Sequence, residues 1–145
     1  MNFGGRKRII EAMADFASGD ERRRVVLIDD SEIVLRTQAD ALTRAGFEIR
    51  AASSLREFIN LVLDWKPHVI VSDLYMPEMN GAELCQWLRA QIPTARIPVV
   101  ICSGAKEHEL ADIAQKAGAD AFVSKQGGVD ALRDRLSSLF EEIVW

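Results

Sequence analysis

Tyrosine occurs once in this chain, at Tyr75, histidine and cysteine twice each, and proline only four times. Each scarcity removes a class of protein. Cys85 and Cys102 sit in apolar patterns with no CxxC and no histidine at ligand spacing, so neither a disulfide scaffold nor a zinc site is expected. The reading is two buried free thiols in a reducing compartment. No apolar run approaches the roughly 18 residues that span a bilayer, and the N-terminus has no continuous apolar segment of the signal-peptide kind. A cytoplasmic protein with no membrane association is expected. Neither GxGxxG nor GxxxxGK[ST] occurs, which removes support from the dinucleotide-binding and P-loop readings.

What is present fits one domain. The chain has 145 residues, 48% hydrophobic, with a net charge of −4, so direct nucleic-acid binding is not expected. The charge is uneven. Residues 1–24 carry six Arg or Lys against four acids, and the remainder carries twelve against eighteen. Residues 1–23 read as an extension that Ile9, Ile10, Met13 and Phe16 could shape into one short amphipathic helix. Homodimerisation is one role open to that helix. Residues 24–145 read as the folded domain.

Within that domain short apolar runs alternate with helical patterns. Val25–Ile28, Phe47–Ala51, Val69–Ser72, Val99–Cys102 and Ala121–Val123 are too short for helices, and each contains at least one β-branched residue. A helical pattern follows each. The last carries Val129, Leu132, Leu136, Leu139, Phe140 and Ile143 on one face, and the second carries Leu55, Phe58, Ile59, Val62 and Trp65. The Ala45-Gly46 and Ala117-Gly118 pairs read as helix ends with a left-handed glycine. Five βα units with right-handed crossovers predict an α/β fold. Its form is a flavodoxin-like parallel sheet, order 2-1-3-4-5, with helices on both faces.

Ligands of such sheets bind at the carboxyl ends of the strands. There the chain places Asp29 and Asp30 after strand 1, Asp73 after strand 3, Ser103 after strand 4 and Lys125 after strand 5. Each alone has an ordinary explanation, as a turn residue, a helix cap or a surface lysine. Together they form a constellation. Three close carboxylates repel one another unless a cation neutralises them, and Mg²⁺ suits a site of few carboxylates and a phosphoryl oxygen. A carboxylate is also a competent nucleophile toward phosphorus, while an ammonium and a hydroxyl are the donors that a phosphoryl group requires.

The strings Val25-Val26-Leu27-Ile28-Asp29-Asp30-Ser31, Asp73-Leu74-Tyr75-Met76-Pro77-Glu78-Met79-Asn80-Gly81, Ser103-Gly104-Ala105 and Phe122-Val123-Ser124-Lys125 together resemble the response-regulator receiver domains of two-component signalling. The resemblance covers residues 24–143 or so. It implies that Asp73 accepts a phosphoryl group from a histidine kinase or phosphotransfer protein. It implies Mg²⁺ held by Asp30, Asp73 and the Tyr75 backbone carbonyl, with Asp29 acting mainly through bound water. Lys125 would pair with the phosphoryl group, Ser103 would move to hydrogen-bond it, and Phe122 would swing inward. The fourth helix, fifth strand and fifth helix would then change their surface for a downstream protein target. Such a chain is no enzyme beyond catalysing its own phosphorylation and dephosphorylation.

Two departures from the family pattern stand out: Gln126 follows the lysine where the family usually has proline, and Gly104 replaces the usual alanine. A trans Lys125–Gln126 bond and a less firmly placed Lys125 are expected, because a cis non-proline bond costs about 3–4 kcal/mol. A haloacid-dehalogenase-type phosphatase would need an acid two residues past its nucleophile, where this chain has Tyr75. A pseudo-receiver, an interaction module that works without phosphorylation, is the alternative reading.

Overall fold

The alternation of β-branched runs with amphipathic segments is realised element by element in the computed structural model, which describes residues 23–143. The extension expected over residues 1–23 lies outside the described residues except for Arg23. Five strands run in the order β1 (Arg23–Ile28), β2 (Phe47–Ala52), β3 (Val69–Asp73), β4 (Val99–Ser103) and β5 (Ala121–Ser124). The helices between and after them are α1 (Glu32–Arg44), α2 (Leu55–Trp65), α3 (Gly81–Ala90), α4 (Glu107–Ala117) and α5 (Gly128–Ile143), with one 3₁₀ turn, Lys125–Gly127, joining β5 to α5. All neighbours in the sheet are parallel and the order is β2-β1-β3-β4-β5, as expected.

Four strands run one residue further than the apolar pattern suggests, three of them into a polar residue. Asp73 pairs with Cys102, and Ser103 with Ser124, so the ladder continues into the polar residues at the strand ends. Local polarity did not stop the strands because a parallel partner was available on the neighbouring backbone.

Helix starts follow side-chain chemistry. The hydroxyls of Ser31 and Ser54 accept from the amides of Val34 and Glu57, and Asn80 forms a reciprocal capping box with Glu83. Gly118 ends α4 in the left-handed conformation, and Gly46 follows α1 with φ +100°.

Alternate residues of each strand enter two separate cores, which is why the strands read as continuous apolar runs. Val25, Leu27, Val71, Val100 and Val123 pack with Leu35 and Leu42 of α1 and with Leu132, Leu136, Leu139 and Phe140 of α5. Val26, Ile28, Ile70, Val99 and Ile101 pack with Phe58, Leu84, Leu88 and Leu110 from α2, α3 and α4. Each such fully buried Leu or Phe is worth about 1.5–3 kcal/mol. The side chain of Ile143 lies outside the described residues. Cys85 and Cys102 are buried free thiols on opposite faces of the sheet. Among the described residues no helix is long and apolar enough to cross a membrane.

Candidate functional site

The site grows out of strand register. Ile28 stands opposite Ser72, so the next residues, Asp29 and Asp73, leave β1 and β3 side by side. Asp29 is 3% exposed, and both its oxygens are engaged. Oδ1 accepts from the Ser31 amide at 2.9 Å and Oδ2 from Lys125 Nζ at 3.0 Å. Asp30 faces solvent. One oxygen from each of Asp29, Asp30 and Asp73 falls within 4.8 Å of the others.

Lys125 Nζ also lies 3.1 Å from Asp73 Oδ1, so one ammonium bridges two buried carboxylates. Burial pushes the Asp73 carboxyl above its ordinary value. The Lys125 hydrogen bond opposes that shift and the Asp29 charge adds to it. For Lys125, burial disfavours the ammonium, but the hydrogen bonds to Asp29 and Asp73 outweigh it and hold the amine above its usual 10.5. Three carboxylates therefore face a single ammonium, and the charge left over is what a hard oxygen-seeking cation compensates. The donor set fits Mg²⁺.

The loop leaving Asp73 is held by backbone contacts. The Ser72 hydroxyl donates to the Asp73 carbonyl at 2.9 Å, and the Gly81 amide donates to the Leu74 carbonyl at 2.8 Å. A side chain at position 81 would collide with the Asp73 carbonyl oxygen and crowd Leu74 Cα, so this close approach demands glycine.

The other expected residues are not all in contact. Ser103 is fully buried at the end of β4, and its hydroxyl accepts from the Ala105 amide at 3.2 Å. Tyr75 projects a ring that is 62% exposed. Phe122 is half-buried, packs against the α2–α4 core and lines an open cavity of about 490 Å³ with Glu107, Gln126, Ala131 and Arg135. The Lys125–Gln126 bond is trans, since the described residues contain no cis peptide. The looser lysine expected with it is not found, because the Nζ is clamped between Asp29 and Asp73.

Sequence reasoning missed two groups near the site. Gln38 is 8% exposed, and its amide reaches Cys102 Sγ at 3.9 Å; burial raises that thiol to about 11. Its signal was its place on the Leu35–Leu42 stripe, where a polar residue interrupts an apolar face. Ser124 is the other, a serine directly before the lysine that accepts from the Gln126 amide at 3.2 Å.

Residues 25–137 match the family described as Response regulator receiver domain. The chain belongs to that family. Among curated relatives, this receiver is 32% identical over 104 residues to the chemotaxis protein CheY of Thermotoga maritima, covering 71% of this chain and 85% of the relative. It is 39% identical over 124 residues to a protein-glutamate methylesterase/protein-glutamine glutaminase of Archaeoglobus fulgidus, covering 83% of this chain but only 34% of that protein. The receiver thus spans about a third of the methylesterase and most of CheY. A crystal structure of a response regulator from Desulfuromonas acetoxidans superposes with a TM-score of 0.73 at 27% identity, over 83% of this chain and 98% of that one. The fold is the flavodoxin-like receiver fold, and its signalling class is the two-component system.

Proposed function

We propose that this receiver is an active phosphoacceptor switch of the cytoplasm, with Asp73 as the acceptor. The observation that carries the reading is the clustering of Asp29, Asp30 and Asp73 with Lys125 bridging two of them. A carboxylate oxygen of Asp73 attacks the phosphorus of a phosphohistidine on a histidine kinase or phosphotransfer protein. The P–N bond breaks, and the imidazole keeps the electron pair and takes a proton. Asp30, Asp73 and the Tyr75 carbonyl would hold Mg²⁺, which would supply positive charge against the phosphoryl oxygens. Asp29, with both oxygens already engaged, positions Lys125 and would act on the metal through water.

Lys125 then exchanges its carboxylate partner for a phosphoryl oxygen. Ser103 turns its hydroxyl from the Ala105 amide to the same group, and Phe122 follows inward. A phosphoryl group adds about two negative charges and new acceptor oxygens, enough to bias a loop and an aromatic rotamer between two states. The surface altered is that of α4, β5 and α5, and a downstream protein reads it. The only catalysis is of the receiver's own phosphorylation and dephosphorylation.

Intact-mass spectrometry after incubation with acetyl phosphate tests this directly. One added phosphoryl group is expected with Mg²⁺, none with EDTA, and none in Asp73→Asn under either condition. The absence of any adduct, together with weak Mg²⁺ binding, would instead make the chain a pseudo-receiver. Tyr75 gives a second test. Tyr75 stands two residues after Asp73 with an exposed side chain, and its role in this reading is to cover the acyl phosphate against water. Tyr75→Ala should lose phosphate about tenfold faster, equivalent to about 1.4 kcal/mol of barrier. Unchanged loss would refute the shielding role.

A further inference from the structure

The turn that carries Lys125 has its own holding device, and we infer that Ser124 is a positioning residue for Lys125, acting through the Gln126 amide. The inference rests on the phosphoacceptor reading of the site. The chain passes from β5 into α5 through the 3₁₀ turn Lys125–Gly127. Ser124 is extended, with φ −78° and ψ 132°, and its hydroxyl accepts from the Gln126 amide at 3.2 Å. The Gly128 amide closes the other end of the turn by donating to the Lys125 carbonyl. Gly128 has φ +73°, where L side chains are strained, and a side chain at Gly127 would press on the Ala131 methyl. Both glycines are therefore required by this geometry, and Ser124 supplies its one side-chain bond.

The consequence falls on Lys125. Its peptide is bounded on both sides, so the long side chain starts from a fixed base and brings Nζ to 3.0 Å from Asp29 and 3.1 Å from Asp73. A flexible lysine tethered to an unheld loop would lose that double contact to its own rotamer entropy. The Gln126 N–H is the group on which the device depends, and proline is the one residue without it. Proline at 126 would also push Lys125 away from the helical φ/ψ it adopts in the turn. Installing the proline that the family usually has at this position should therefore loosen Lys125 rather than secure it.

Four variants in the 145-residue chain test the inference: Ser124→Ala, Ser124→Thr, Gln126→Pro and, as the reference for a lost ammonium, Lys125→Ala. Phosphoryl incorporation from acetyl phosphate is followed at saturating Mg²⁺, Mg²⁺ affinity is measured by calorimetry, and metal-free crystal structures are determined for wild type and Ser124→Ala. Ser124→Ala should slow incorporation about tenfold, since misplacing a catalytic group by about 1 Å costs up to about 10²-fold. Mg²⁺ affinity should hold or rise, because withdrawing the ammonium from Asp29 and Asp73 leaves more negative charge for the ion, and a fall in affinity would count against the positioning role. Thr should restore the rate, and Gln126→Pro should fall at least as far as Ser124→Ala. A Ser124→Ala rate equal to wild type, or a Gln126→Pro rate above it, overturns the inference. Should wild type take up no phosphoryl group, the phosphoacceptor reading itself fails. The crystal structures then decide the positioning role alone: Lys125 Nζ withdrawn from Asp29 and Asp73 in Ser124→Ala supports it, and an unmoved Nζ refutes it.

Discussion

Lys125→Ala is expected to slow phosphoryl incorporation by about 10²–10³-fold, the usual effect of removing one preorganised donor from developing negative charge. The same change should destabilise the metal-free protein. Asp29 and Asp73 are buried side by side and share this one ammonium, so its removal leaves uncompensated charge in the interior. Breaking a buried pair in that way costs about 3 kcal/mol or more. Mg²⁺ should recover part of the loss, and thermal melting with and without the ion measures both quantities.

The pH dependence has a definite sign. The folded-state amine of Lys125 is held above 10.5 by its two carboxylate partners, against the opposing pull of burial. Its contribution to stability is therefore complete below pH 10.5 and lost as pH rises through the folded value. Wild type should lose more stability than Lys125→Ala across that alkaline window. Equal losses would mean that the bridge contributes nothing.

Gly81→Ala should be the most damaging change that leaves every polar group of the site in place. The new methyl would meet the Asp73 carbonyl oxygen, a backbone atom with no freedom to rotate aside. Either α3 or the end of β3 must move, at a cost of about 3 kcal/mol or more. For a domain of this size that corresponds to a melting point lower by about 10 °C. Phosphoryl incorporation should fall with it, because the displaced carbonyl belongs to Asp73 itself. Gly104→Ala is the control. A methyl there meets nothing within 4 Å, and the backbone has no positive φ, so stability should hold or rise by about 0.4–1 kcal/mol. A melting point for Gly81→Ala within a degree or two of wild type would show that the loop is softer than its contacts imply.

The sequence by itself determined the strands, the helices and their order, because each was written in short-range terms. Runs such as Val69–Val71 and Val99–Ile101 are β-branched and apolar throughout, and Ser31, Ser54 and Asn80 stand ready as caps. Strand-end chemistry was equally legible, since Asp29, Asp30, Asp73, Ser103 and Lys125 each follow or close an apolar run. What those groups do to one another was not. Lys125 meets Asp29 across 96 residues of chain, and no local pattern reports that separation closing to 3.0 Å.

Only the parallel register made that contact, and with it the engagement of the second Asp29 oxygen and the displaced equilibrium of the Asp73 carboxyl. Gln126 illustrates the limit most clearly. From the sequence it is a missing proline and suggests a loosened lysine. In the fold its N–H is bonded to Ser124 while the lysine is held between two carboxylates. Propensity and pattern act over a few residues. The placement of a charge is decided by which strands lie beside it and by how deeply water is excluded there.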